Sequence, residues 1–169
     1  MVNGHSLKAL LPVVLVAACS RTPAAGGQPP SAPYTPSPVV AWLDCVECTP
    51  AQLAAVAGLR DAAVPELKGV LLSGPPPDRL KGQQDFLEKR WQTLKDYERL
   101  HPKQEVPYTQ QAYVQMYLQK FVLLNRARAA RALGAIGTPA ARDALTQAKA
   151  QPGLPEDLRD AIDSALASP

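Results

Sequence analysis

Histidine is almost missing from this 169-residue chain, which has two, His5 and His101. His5 falls in an N-terminal leader, leaving His101 beside Pro102 as a helix-end residue that interacts with the helix dipole. A metal centre needs about four well-spaced ligands, and one imidazole with two thiols does not supply them. There is no H-E-x-x-H, no helical His pair, no G-x-S-x-G and no phosphate loop. The carboxylates Asp157, Asp160 and Asp163 cluster without a His or Cys partner and read as solvated. The chain is therefore expected to be non-catalytic, with no cofactor and no metal. Charge of one sign is also scarce: the formal net charge is +3, and loss of the leader removes Lys8 from it. Nothing here marks a nucleic-acid binder. Aromatic residues are few, and the length leaves room for one core and little more. Much of the apolar content is alanine, which suits tightly stacked helices better than a β-sandwich.

The amino terminus is read as a processing signal. Lys8 precedes an apolar run, Ala9 to Ala18, of about ten residues, roughly half of what a transmembrane helix needs. The run ends Val16-Ala17-Ala18-Cys19-Ser20, which resembles a bacterial lipobox. That resemblance implies residues 1–18 as a lipoprotein signal peptide and Cys19 as the lipidated, palmitate-bearing first residue. It also implies a membrane anchor outside the cytoplasmic membrane, and Ser20 favours the outer membrane where the cell has one. Residues 19–38 hold Pro23, Pro29, Pro30, Pro33, Pro36 and Pro38 among small residues, the composition of a semi-rigid, disordered tether.

The globular part, 39–169, opens on Val39, Val40, Trp42 and Leu43, followed by Cys45-Val46-Glu47-Cys48. Thr49 is a plausible N-cap and Pro50 a first-turn residue, so both cysteines sit at a helix N-terminus. In an oxidising envelope the simplest reading of this C-x-x-C is a structural disulfide locking the start of the first helix. A redox-active pair is the alternative, since a helix N-terminus stabilises a thiolate. Asp44 and Glu47 oppose thiolate formation, and no βαβ pattern surrounds the motif.

Helical periodicity then recurs to the end of the chain. Leu53, Val56, Ala57 and Leu59 predict one helix. Val64, Leu67, Val70 and Leu71 predict another, with Arg60-Asp61-Ala62 breaking the run between them. Ser73-Gly74-Pro75-Pro76-Pro77 ends this pair. From Asp78 to Leu100 the residues Leu80, Leu87, Trp91, Leu94 and Tyr97 line one face as core, and Asp85 is expected to pair with Lys89. After Thr109 a single helix of about 25 residues is expected, with Tyr113, Tyr117, Phe121 and Leu124 along one face. Thr138-Pro139 restarts the chain with a cap and a first-turn proline, and a last helix spans Leu158 to Leu166.

Within the long helix, Arg126 to Gly137 reads R-A-R-A-A-R-A-L-G-A-I-G. This order resembles the HEAT-like repeat family, in particular the short repeats of the phycobilin-lyase type. Ala129, Ala130 and Ala132 permit close helix approach, Leu133 and Ile136 fill the space, and Gly134 and Gly137 are expected to let the chain leave the helix. Arg159 to Leu166 repeats the spacing about one HEAT-type repeat later, and Ala57 to Leu72 matches more loosely. The expected fold is all-α, a short HEAT-like α-solenoid or helical bundle of antiparallel pairs. Arg126, Arg128, Arg131 and Arg142 form a candidate anion-binding surface, although repeats of this family use such arginines for contacts between neighbouring turns. The expected function is a membrane-anchored, non-catalytic scaffold presenting a protein-binding surface to an envelope partner. The alternative is an envelope thiol redox protein acting through Cys45 and Cys48.

Overall fold

A computed structural model describes residues 36–168, so the leader, Cys19 and the tether up to residue 35 lie outside the described residues. The described chain runs α1 (Pro38–Leu43), α2 (Pro50–Gly58), a 3-10 turn (Arg60–Ala63), α3 (Val64–Ser73), α4 (Pro77–Leu100), α5 (Gln110–Ile136), α6 (Pro139–Lys149) and α7 (Glu156–Ala167). Among the described residues there is no strand. The architecture is all-α, as alanine richness and 3.6-residue periodicity require.

The arrangement turns on α5, a 27-residue helix that packs against each of the other six. The Thr109 side chain caps its first turn by accepting from the Ala112 N–H. Its last turn closes on Gly137, whose φ of 65° is left-handed and suits the missing Cβ. The expected single helix is therefore present, and its C-terminal half is the hub of the core. Ala129, Ala130, Ala132 and Leu133 are fully buried there among Leu67 and Leu71 of α3, Leu145 of α6 and Ile162 of α7. Three alanines in close sequence leave only short stubs on the helix surface, so neighbouring backbones come close enough to exclude water.

Gly134 differs from expectation. It lies inside α5 rather than at an exit, and a Cβ there would meet the Ala165 Cβ at 2.8 Å and the Ala165 Cα at 2.9 Å. Its function is close approach between α5 and α7, and Gly137 alone ends the helix. The two-residue link Gly137-Thr138 then starts α6, with Thr138 capping the Ala141 N–H and also donating to Asp61 Oδ1 at 2.6 Å. This second bond fastens the 3-10 turn, where Arg60 adopts a left-handed φ of 50°, to the foot of α6.

α4 makes its principal contacts with the N-terminal half of α5, around a separate small cluster of Leu87, Trp91 and Tyr113. Two expectations for α4 are corrected. Tyr97 is exposed and stacks on His101 with ring centroids 4.1 Å apart, because by that point α5 no longer covers the helix. Asp85 pairs with Lys81, at 3.0 Å, in place of Lys89. Along α5, Tyr113 is buried, whereas Tyr117 and Leu124 face outward. The apolar stripe read from the sequence is thus wider than the contact it makes.

Candidate functional site

The two cysteines and the arginines of α5 meet at one corner of the fold. The capping box of α2 is formed in both directions: Thr49 Oγ1 accepts from the Gln52 N–H, and Gln52 Oε1 accepts from the Thr49 N–H. It fixes the chain immediately after Cys48. Cys45 and Cys48 are joined as a disulfide, with Cα atoms 5.1 Å apart. Cys45 is buried, while Cys48 is exposed at the helix start.

Behind this loop Arg128 reaches from α5 and donates to two main-chain carbonyls, Leu43 O at 2.7 Å and Cys45 O at 2.5 Å. Burial lowers the Arg128 pKa. The Asp44 carboxylate opposes that shift, and the neighbouring Arg79 reinforces it. A guanidinium keeps its charge under ordinary conditions even so. Arg79, from the first turn of α4, is ion-paired with Asp44 and lies 3.4 Å from Oδ1 of the fully buried Asn125. Asn125 completes its own pairing by donating to Phe121 O, one helical turn back, at 2.9 Å. The indole of Trp42 donates to Arg128 O at 2.9 Å. Three elements distant in sequence are thereby tied into one polar seam under the disulfide. Asp44 is legible in the sequence only as a negative neighbour of the cysteines and Asn125 only as a point where the long helix could bend, and Arg79 carries no local signal, because nothing local announces a contact that spans dozens of residues. The one available signal was an Asn in the middle of an otherwise apolar helix face.

The four arginines of the expected anion-binding surface do not form one surface: Arg128 and Arg131 line a common groove, and Arg126 and Arg142 are not part of its lining. Arg126 donates through Nε to Leu71 O at 2.7 Å and through Nη2 to Gln151 Oε1 at 2.9 Å, binding α3 to the segment after α6. Arg128 is committed to the cysteine loop, and Arg142 donates to Ser168 O at 3.1 Å near the end of α7. Arg131 is exposed, makes no ion pair among the described residues, and sits with its guanidinium carbon 5.9 Å from the centroid of the Trp42 ring. It lies in a groove of about 680 Å³ that has Trp42, Cys48 and Leu53 on one side and Ala161, Ser164 and Ala165 of α7 on the other. A pocket of about 320 Å³ continues the groove over Pro50 and Ala54 of α2. The floor of both is the α5 face that carries Arg131 and Ala135.

Among the described residues no group of three or more metal-ligating side chains is present, and His101 stands at the end of α4 with its Nδ1 3.0 Å from Tyr97 O. The Cys45–Cys48 disulfide is the group at this corner with exchange chemistry, and Cys48 is its exposed residue. A disulfide closing so short a loop is expected to contribute about 2 kcal/mol through the unfolded chain. The Cys45→Ser, Cys48→Ser double variant should show that loss in urea unfolding, and dithiothreitol should produce the same loss in the wild type and none in the variant.

The comparisons with known proteins agree with the α5 to α6 reading. The family described as PBS lyase HEAT-like repeat matches residues 126–151, the C-terminal half of α5, all of α6 and the two residues beyond. The chain thus carries a HEAT-like repeat over that stretch, while α7 and the α2–α3 pair lie outside the match. No curated protein and no solved structure matches the chain.

Proposed function

We propose that this protein is a membrane-anchored lipoprotein whose HEAT-like domain acts as a non-catalytic scaffold, binding a protein partner in the cell envelope. The observation that carries the reading is the groove around Arg131. Arg128 spends its donors on two backbone carbonyls and Arg126 on one backbone carbonyl and the Gln151 side-chain oxygen, whereas Arg131 has an open guanidinium above an indole and beside small apolar walls. Such a surface favours a partner segment bearing a carboxylate, since Arg presents paired donors to it and the surrounding walls exclude water. Lipidation at Cys19 would hold the domain at the membrane, on the periplasmic side of the outer membrane where there is one, with about 0.8 kcal/mol from each buried methylene. The proline-rich stretch before residue 38 would supply the spacing.

The test is affinity isolation of the tagged chain from solubilised envelopes, beside Cys19→Ala and Arg131→Glu variants. One partner should be recovered with the wild type and depleted with Cys19→Ala. Arg131→Glu should lower recovery by about tenfold, the effect of a well-placed interfacial charge. Its thermal unfolding should be unchanged, because the side chain is exposed. Equal recovery with all three chains would refute the reading.

The exposure of Cys48 in the same groove favours a second reading, an envelope thiol redox protein. Equilibration with glutathione decides between them: a reduction potential below about −300 mV marks a structural disulfide, and one near those of the oxidoreductases marks an exchanging pair.

A further inference from the structure

Arg126 faces a different groove from Arg131. Its floor is the stretch of α5 from Gln115 to Arg126, a span of about 16 Å at the α-helical rise, with Leu80 of α4 and Pro155 before α7 completing the wall. The groove is open to solvent and its volume is about 640 Å³, within the roughly 300–1,000 Å³ typical of small-molecule sites. Its lining is mainly hydrocarbon, from Leu80, Met116, Leu118, Val122 and Leu123. Lys120 and Arg126 are the charged residues of this lining, which contains no carboxylate.

Arg126 is the half-buried member of that pair. Two of its donors are used on Leu71 O and Gln151 Oε1, and no carboxylate among the described residues stands within ion-pair distance of it. Desolvation lowers its pKa with no neighbouring negative charge to oppose the shift. A cation held against apolar walls without a counter-ion is costly, and a ligand carboxylate would remove that cost. An extended peptide would bring one donor and one acceptor per residue into a lining that offers few partners for them. A methylene chain asks for none.

We propose that this groove binds a long-chain carboxylate, with its head on the Arg126 guanidinium and its tail lying along α5 toward Met116. Lys120 on the rim adds positive potential near the path. The groove is separate from the Arg131 face, so this site and the protein-partner reading stand or fall independently.

The experiment is calorimetric titration of saturated carboxylates, octanoate to dodecanoate, into the full chain below their micellar concentrations. One site should saturate, and affinity should rise by up to about fourfold per added methylene. Dodecanol, which lacks the charged head, should bind at least about tenfold more weakly. Gln119 is exposed on the groove lining and outside the core, so its variants should fold normally. Gln119→Trp should fill the groove and abolish binding, and Gln119→Glu should weaken dodecanoate severalfold while leaving dodecanol unchanged. The proposal is overturned if dodecanoate does not saturate a site, if dodecyltrimethylammonium binds as tightly, or if Gln119→Trp leaves the affinity intact. Saturable binding of an acidic amphipathic peptide in place of dodecanoate would overturn it in favour of a protein-docking groove.

Discussion

Replacing Trp42 by alanine is expected to destabilise the domain by about 3–5 kcal/mol, the usual cost of deleting a buried indole. Trp42 is 2% exposed and joins α1 to the middle of α5 in two ways, by packing and by the Nε1–H bond to Arg128 O. α1 is six residues long, too short to persist alone. Its position therefore depends on Val39, Trp42 and Leu43, the side chains it buries. Loss of the indole would also remove the wall against which the Cys45 loop and Arg131 are set. Since domains have about 5–15 kcal/mol in total, the variant should unfold at a markedly lower urea midpoint and leave a small folded margin. Trp42→Phe separates the contributions: it keeps most of the ring and should lose only about 1–2 kcal/mol, for the hydrogen bond and the smaller volume. Equal losses for the two variants would show that the hydrogen bond, and not the packing, anchors α1.

The second large effect is expected at Gly134. Helix propensity alone predicts that alanine here would stabilise α5 by about 1 kcal/mol. The tertiary contact predicts the opposite sign. A Cβ would lie 2.8 Å from the Ala165 Cβ, 2.9 Å from its Cα and 3.0 Å from its carbonyl oxygen, and backbone atoms cannot rotate away as a flexible side chain would. α7 would have to move off α5 along the contact that also buries Leu158 and Ile162. Overpacking of this kind costs about 1–3 kcal/mol, so Gly134→Ala should be net destabilising and Gly134→Val more so. Gly69 provides the control: it is also helical, with nothing within 4 Å of where a Cβ would stand, and Gly69→Ala should stabilise. Thermal melts of the three variants check the signs directly. A stabilised Gly134→Ala would mean that α5 and α7 separate at little cost.

Arg128 links these two predictions to the candidate site. Its guanidinium satisfies Leu43 O and Cys45 O, so the geometry of the cysteine loop depends on a residue of α5 and not on the disulfide alone. Arg128 and the capping box of α2 therefore hold the same side of the groove, the one formed by Trp42, Cys48 and Leu53.

Local chemistry determined much of this protein. The caps Thr49, Thr109 and Thr138, the first-turn prolines Pro50 and Pro139 and the terminal Gly137 act within one turn of the chain, so the helix boundaries they set were legible in order along the sequence. The small-residue pattern around Ala129, Ala130 and Ala132 announced a close-packed helix of the HEAT-like type, because that packing demands short side chains wherever backbones meet. The tertiary structure alone decided which arginine does what. Arg126, Arg128, Arg131 and Arg142 look alike in a one-dimensional repeat, and their roles diverge only when α3, the Cys45 loop or α7 is brought against each of them. It likewise decided that Gly134 is a contact and not an exit, and that Asp44, Arg79 and Asn125 share a seam. Those assignments depend on distances between segments far apart in the chain, and neither periodicity nor capping carries information about such distances.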